Sequence, residues 1–413
     1  MQNGKTIKTR KNVDFNVDIF NIKMTKLKLL MTKLNCKETS SKKQEDRFMN
    51  KNQIFIKSGT EYKKMTKELL TASNLAELIG DRHKMVGIKP NLVSPSDPSE
   101  GGTTHPEIVA GILEYLKENG FQNMMILEGS WVGDRTADAF EVCGYRSLCE
   151  NYDVKFYDTQ KDKSYVKDCS GLELKICESV KKVDFLINVP VMKGHCQTKI
   201  TCALKNMKGL IPNTEKRHFH AMGLHKPIAH LNTGIHQDFI VVDNICGDLD
   251  FEDGGNPVVM NRIWTAMDPV LVDACVCKQL HYEVEEVPYV KMAAELGVGC
   301  ADISKADIQI LGEAAEHHIA ERRKVVDVAD AVEEVESCSA CYGYLIPALD
   351  MLKQEGLFEK LHEKICIGQG YRGKTGELGV GHCTRNFRCH VEGCPPTETQ
   401  IYEYLKAYIE QHS

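Results

Sequence analysis

Short apolar runs alternating with amphipathic stretches constrain this chain more than any other feature. Ile54-Phe55-Ile56, Met85-Val86-Gly87-Ile88, Met124 to Leu127, Phe185-Leu186-Ile187, Ile240-Val241-Val242 and Ile308-Gln309-Ile310 each have the length of a buried strand. Between the second and third lies a well-marked helix, with Pro106 in its first turn, Ile108, Ile112 and Leu116 on one face, and Gly120 as its stop. Strand, helix and strand in that order form a βαβ unit. Its repetition predicts an α/β fold, a mostly parallel sheet with helices on both faces.

With 413 residues the chain can bury a large core and has room for roughly two to three domains. Residues 1–50 are rich in Lys, Asn and Thr without a sustained period, and read as a flexible basic arm or as a start codon placed too early, since Met49 directly precedes the first strand. Residues 51–330 hold the α/β pattern. The stretch 311–336, with Glu313, Glu316, Glu321, Arg322, Arg323 and Lys324, reads as a charged helical connection. Residues 331–413 form a separate small α/β segment crowded with cysteine and glycine.

A net charge of −6 gives no overall electrostatic footprint for nucleic acid, and none is expected as a partner. No apolar run approaches the ~20 residues of a membrane span. The cluster Leu27, Leu29, Leu30 and Met31 is too short for a signal core, so the expectation is a soluble, cytoplasmic protein. In that reducing compartment the 17 cysteines serve as core residues, nucleophiles or metal ligands.

Cys338-Ser339-Ala340-Cys341 is a CxxC, followed by Cys383, Cys389 and Gly393-Cys394-Pro395-Pro396. Two thiolates in one turn reach neighbouring irons of one cluster, and a cysteine followed by proline recurs as the last ligand of ferredoxin-type runs. Pro395 and Pro396 open an amphipathic helix bearing Ile401, Tyr404, Leu405, Tyr408 and Ile409, whose positive end favours an anionic cluster beside Cys394. Gly343, Gly379, Gly381 and Gly393 let backbone amides approach the sulfurs. The expectation is a [4Fe-4S] cluster on Cys338, Cys341, Cys383 and Cys394, with Cys389 in reserve and Cys366 a strand residue. A structural zinc site suits the same thiolates and stands as the alternative.

Ligands of open parallel sheets collect beyond the carboxyl ends of the strands. Lys89-Pro90-Asn91 and Glu128-Gly129-Ser130 each follow a strand, and Gly101 to His105 leads into the helix at Pro106 as a cradle for an anion or as a plain turn and cap. The densest polar set runs from Asn188 to His220: Lys193, His195, Thr198, Lys199, Thr201, Lys205, Asn206, Lys208, His218 and His220. Thr201, Lys205 and Lys208 fall at helical spacing on one face, with Ala203 and Leu204 behind. Asp243, at a strand end, suits orienting a His or Lys or binding a metal; Asp268 reads as an N-cap before Pro269.

Ile88-Lys89-Pro90-Asn91-Leu92, Asn188 through His195, Thr201 through Gly209, and Asp268-Pro269-Val270 with Asp273 resemble the DUF362 family, in order over residues 52 to 312. The C-terminal segment resembles the cysteine-rich tail of its iron–sulfur-binding members, although it lacks the tight CxxCxxCxxxCP run of a bacterial ferredoxin. The resemblance implies that Lys89, Asn91, Lys193, His195, Thr201, Lys205, Asn206, Lys208 and His220 line a shared site and that an iron–sulfur centre is the cofactor. It names no reaction. Three functions are open: an iron–sulfur oxidoreductase acting on a small anionic molecule, with an electron-transfer protein as its partner; a non-redox enzyme for a phosphorylated or carboxylated small molecule; or a cluster or metal assembly factor.

Overall fold

The computed structural model describes residues 49–252, 256–313 and 324–412. The basic arm, the cluster at Leu27 to Met31, and Glu316, Glu321, Arg322 and Arg323 of the charged connection lie outside the described residues.

Eight strands form the main sheet. Along the chain they are β1 (Gln53–Ser58), β2 (Val86–Lys89), β3 (Met124–Glu128), β4 (Lys155–Asp158) and, after the hairpin of β5 (Ser164–Asp168) and β6 (Glu173–Cys177), β7 (Phe185–Asn188). A short ribbon of β8 (Lys193–His195) and β9 (Lys199–Thr201) follows, then β10 (Phe239–Asp248), β11 (Pro257–Ala266) and β12 (Asp307–Ile310). The spatial order β12-β1-β11-β10-β7-β2-β3-β4 has β11 as the one strand antiparallel to its neighbours. All six expected strands are present, and the expected helix is α1 (Pro106–Glu118), with Ile108, Ile112 and Leu116 fully buried.

Two apolar cores cover the two faces. Leu69, Ile88, Ile112 and Ile126 belong to one, and Leu127, Leu204, Val242 and Trp264 to the other. Alternate residues of one strand, Ile126 and Leu127, therefore point into different cores, as the period of two requires. From β2 the chain builds outward through β3 and β4, then returns to place β7 on the other flank of β2. That reversal opens a crevice at the carboxyl ends of β2, β3 and β7.

A third core supports the cysteine-rich segment. There β13 (Val332–Glu334), β14 (Ile365–Ile367), β15 (Leu378–Val380) and β16 (Cys389–Val391) form a parallel sheet in sequence order. After α2 (Pro269–Gln279) in the chain, helices α3 (Ser339–Gln354) and α4 (Glu398–His412) contribute Leu345, Leu349, Ile401 and Leu405 to its core. Cys196 and Phe251 of the larger segment pack into the same cluster, and residues 48–413 make one compact unit. The terminal helix begins at Glu398 rather than at Pro395. Among the described residues no helix is long and apolar enough to cross a membrane.

Candidate functional site

The strand ends meet through a chain of buried side chains. Lys89, closing β2, is fully enclosed; its Nζ pairs with Glu128 at the end of β3 and donates to Pro90 O at 2.6 Å and Asn206 Oδ1 at 3.2 Å. Asn206 Nδ2 in turn donates to Asn188 Oδ1 at 2.7 Å, at the end of β7. Burial lowers the Lys89 ammonium and raises the Glu128 carboxyl, while each partner's charge opposes the shift. A side chain at Gly209 would stand 2.6 Å from Lys89 Nζ, so this close approach depends on glycine.

A second carboxylate gathers the residues of the β8-β9 ribbon. Glu252 receives Lys205 Nζ at 2.7 Å, His195 Nε2 at 3.0 Å and Thr201 Oγ1 at 3.2 Å, with Lys193 Nζ at 3.8 Å. Burial would raise this carboxyl, but the hydrogen bond from His195 and the charges of Lys205 and Lys193 outweigh it and hold it well below the usual carboxylate range. His195 Nδ1 accepts the amides of Gln197 at 3.0 Å and Thr198 at 3.1 Å, so its proton is assigned to Nε2, facing Glu252. Burial draws that imidazole down to about 4, and it stays neutral.

These groups surround a cavity of about 320 Å³. Asn91, His195, Thr201, Lys205, Asn206, Lys208 and His220 line it, together with Glu128, Lys216 and Glu252. Lys216 donates to Gly129 O at 2.8 Å and Ser130 O at 2.6 Å. Burial lowers Lys205 and Lys216 to about 8 and Lys208 to about 7, with mutual repulsion adding to it. The opposite wall comes from the cysteine-rich segment: Ser339, Ala340, Gly343 and Tyr344, the start of α3. Ser339 N donates to His220 Nδ1 at 3.3 Å, and Ser339 Oγ lies 2.9 Å from the same nitrogen and 2.8 Å from Gln197 Oε1.

The CxxC occupies the first turn of that helix, with Cys338 as its N-cap residue. Every described cysteine is a free thiol. Burial, and then the nearby Cys383 and Cys394, raise the Cys338 thiol; burial followed by Cys338, Cys394 and Cys383 pushes Cys341 up to about 12. The four are thus electrostatic neighbours. A Cβ at Gly381 would stand 3.5 Å from Cys341 Sγ, and His382 N to Gly393 O at 2.7 Å ties the Cys383 turn to the Cys394 loop. Gln369 Nε2 donates to Cys338 Sγ at 3.6 Å, and Arg372 bonds Cys383. Cys389 is not among these neighbours; it contacts Tyr404 of α4. Cys366 is a half-buried residue of β14. Among the described residues no group of three or more His, Cys, Asp or Glu side chains stands in an arrangement for one metal ion.

Several expected residues sit elsewhere. Asp243 accepts His105 N at 2.7 Å and His105 Nδ1 at 2.9 Å, and so fastens the start of α1 away from the cavity. Burial opposes charge on His105, but Asp243 outweighs it and raises the imidazole. Thr103 and Thr104 bond Ser96 O and Val189 O, so the proposed cradle is spent on internal contacts. Lys89 and Lys193 stand behind the lining, with Lys193 Nζ on Gly102 O at 2.6 Å. Thr201 lies on β9, and only Ala203–Asn206 and the turn through Leu210 are helical, yet Lys205 Nζ still reaches Thr201 Oγ1 at 2.9 Å. Asp268 is the N-cap of Pro269–Gln279, as expected, and Asp273 accepts the amides of Ala203 at 2.7 Å and Leu204 at 3.1 Å. Glu252 and Lys216 were not foreseen. Glu252 lies among Asp250, Asp253, Gly254 and Gly255, the composition of a surface turn.

Comparison with known proteins gives partial likenesses. A thylakoid-associated protein of Synechocystis sp. is 28% identical over 146 residues, which cover 34% of this chain and 42% of that protein. The chain therefore spans less than half the length of this curated relative. The lactate racemase apoprotein of Thermoanaerobacterium thermosaccharolyticum matches 46% of this chain and 50% of its own at 17% identity, with a TM-score of 0.33. A Thermotoga maritima protein of known structure matches 45% and 51% at 16% identity, with a TM-score of 0.32. Residues 86–278, which run from β2 through the residues that build the lysine side of the cavity, match the family model described as Domain of unknown function (DUF362).

Proposed function

We propose that this is an iron–sulfur protein in which a [4Fe-4S] cluster on Cys338, Cys341, Cys383 and Cys394 serves a small anionic substrate held among Lys205, Asn206, Lys208 and His220. The observation that carries the reading is the shared wall: Ser339, Ala340, Gly343 and Tyr344, interleaved with the CxxC, face the same cavity as the lysines. The donor chemistry fits. Burial, and then the neighbouring cysteines, raise the Cys338 and Cys341 thiols, and iron would relieve that by taking them as thiolates. A four-iron core spreads its thiolates over separate irons, so it asks for neighbours rather than for convergence on the single point that zinc requires.

When bound, such a cluster supplies one-electron transfer. The chain's own residues do the rest. Lys205, Lys208 and Lys216 offer positive charge in a partly enclosed cavity where it is weakly screened. Asn91 and Asn206 line the strand ends, and His220 joins the cavity to the CxxC turn through Ser339. An electron-transfer protein as donor is part of the same proposal. Anaerobic purification should give a brown protein with iron and acid-labile sulfide in near-equal amounts and an EPR signal on reduction, all lost in Cys394→Ala. A colourless protein carrying a single zinc would overturn the cluster and leave a non-redox enzyme.

A further inference from the structure

The cavity contains donors that nothing else in the fold uses. Among the described residues Lys208 Nζ has no hydrogen-bond or ion-pair partner, although it lines the cavity. His220 is 8% exposed and accepts Ser339 N at Nδ1, which assigns its proton to Nε2; no protein acceptor meets that N–H among the described residues. Lys208 is half-buried and neither donor is sealed inside protein, so both stand open to a group that enters the cavity.

The charge balance says what kind of group. Lys89, Lys193, Lys205, Lys208 and Lys216 are offset within the cavity and behind it by Glu128 and Glu252; Asp158 also acts on Lys216, but it is ion-paired with Lys161 at 3.2 Å. Asp134 also lines the cavity but is turned to Trp131 Nε1. Even counting it, two positive charges lack an internal counter-charge. The donors are close neighbours: Lys208 is repelled by Lys205 and Lys216, and Lys208 and Lys205 oppose charge on the neutral His220. The lysine charge is focused on one place rather than spread over two. One compact group with two negative charges fits this better than two separated carboxylates.

We infer that the cavity takes a phosphate-type dianionic group, bound by Lys208 Nζ and the Nε2–H of His220. The inference rests on the anion-site half of the proposed function and not on its cluster. Calorimetric titration of the full chain with inorganic phosphate and, separately, with malonate tests it. Phosphate should saturate a single site and malonate should bind at least about tenfold more weakly, about 1.4 kcal/mol. Lys208→Met and His220→Phe should each weaken phosphate by about tenfold or more, and Lys208→Arg should restore most of it. Unchanged phosphate binding in Lys208→Met, malonate as tight as phosphate, or no saturable phosphate site would overturn the proposal. Repeating the titration on Cys383→Ser/Cys394→Ser separates the two readings: phosphate binding there stands even if no preparation contains iron, and its loss in iron-loaded protein removes this inference alone.

Discussion

The lysine wall of the cavity and the cysteine turns behind its opposite wall, which Ser339, Ala340, Gly343 and Tyr344 form, are held in opposite ways. On the lysine wall each fixed charge is set by partners far away in the chain: Lys89 by Glu128 and Asn206, Lys205 and His195 by Glu252. On the cysteine wall the thiols come from tight turns, and their printed polar partners are few, Gln369 at Cys338 and Arg372 at Cys383. One wall is a finished electrostatic frame with a gap in it. The other holds Cys338 and Cys341 as thiols that burial and the nearby cysteines keep protonated. Preorganised ion pairs and a group of neighbouring thiols are different arrangements, and they respond differently to mutation.

The largest contrast comes from removing one member of each. Glu128→Ala strands the Lys89 ammonium in a fully enclosed position and should cost about 3–5 kcal/mol, read as a lower urea midpoint with an unchanged slope. Cys394→Ser, at an exposed position, should change the stability of metal-free protein by no more than about 0.5 kcal/mol. Equal losses would mean that the two walls are not built differently. A smaller effect on the lysine wall is expected from Gly209→Ala. Its methyl would overlap Glu128 Oε1 and Lys89 Cε, and the crowding should cost about 1–3 kcal/mol by the same measurement.

How much of each wall could be read from the sequence follows the same division. The CxxC, the glycines and the later cysteines are local signals, and Cys383 and Cys394 lie within electrostatic reach of Cys338 and Cys341. The strands at Ile54, Val86, Met124, Phe185 and Ile240 were equally legible, because burial on both faces leaves unbroken apolar runs, whereas Ile308-Gln309-Ile310 lies exposed at the sheet edge. β11 was missed because Asn261 and Arg262 interrupt its run, and β4 because Lys-Phe-Tyr-Asp has only two apolar residues at a sheet edge. The lysine wall was legible in its residue types but not in its pairing. Lys216 lies among Asn213, Thr214, Glu215, Arg217 and His218, which looks like a solvated helix face, and Asp243 has its partner in His105, 138 positions away. Periodicity reports which residues are buried; it does not report which charge neutralises which.

A third test sharpens the electrostatic side. Burial lowers Lys208 to about 7 and Lys205 and Lys216 to about 8, so each is cationic below that value and neutral above it. Sulfate remains a dianion throughout, so its affinity should be greatest below pH 7 and fall by about tenfold or more once the solution passes through 8. The groups acting on Lys208 are Lys205, Glu252 and Lys216, and His220, drawn down to about 2, stays neutral over the range. Calorimetry across that window checks the slope. A flat profile would mean that sulfate binds away from these lysines.

The smallest expected effect concerns Cys389, and it bears on where the cysteine wall ends. Cys338 and Cys341 each feel Cys383 and Cys394, and Cys389 is absent from both sets. It opens β16 opposite Leu378 and contacts Tyr404, whose helix closes the third core. In that position its thiol is part of a packed sheet rather than of the CxxC turn. Cys389→Ser should therefore leave iron and sulfide content unchanged, while Cys383→Ser abolishes both, as measured by metal and sulfide analysis on anaerobically prepared protein. Loss of iron in Cys389→Ser would move the ligand set toward β16 and away from Ser339, and with it the link between the thiols and the lysine cavity.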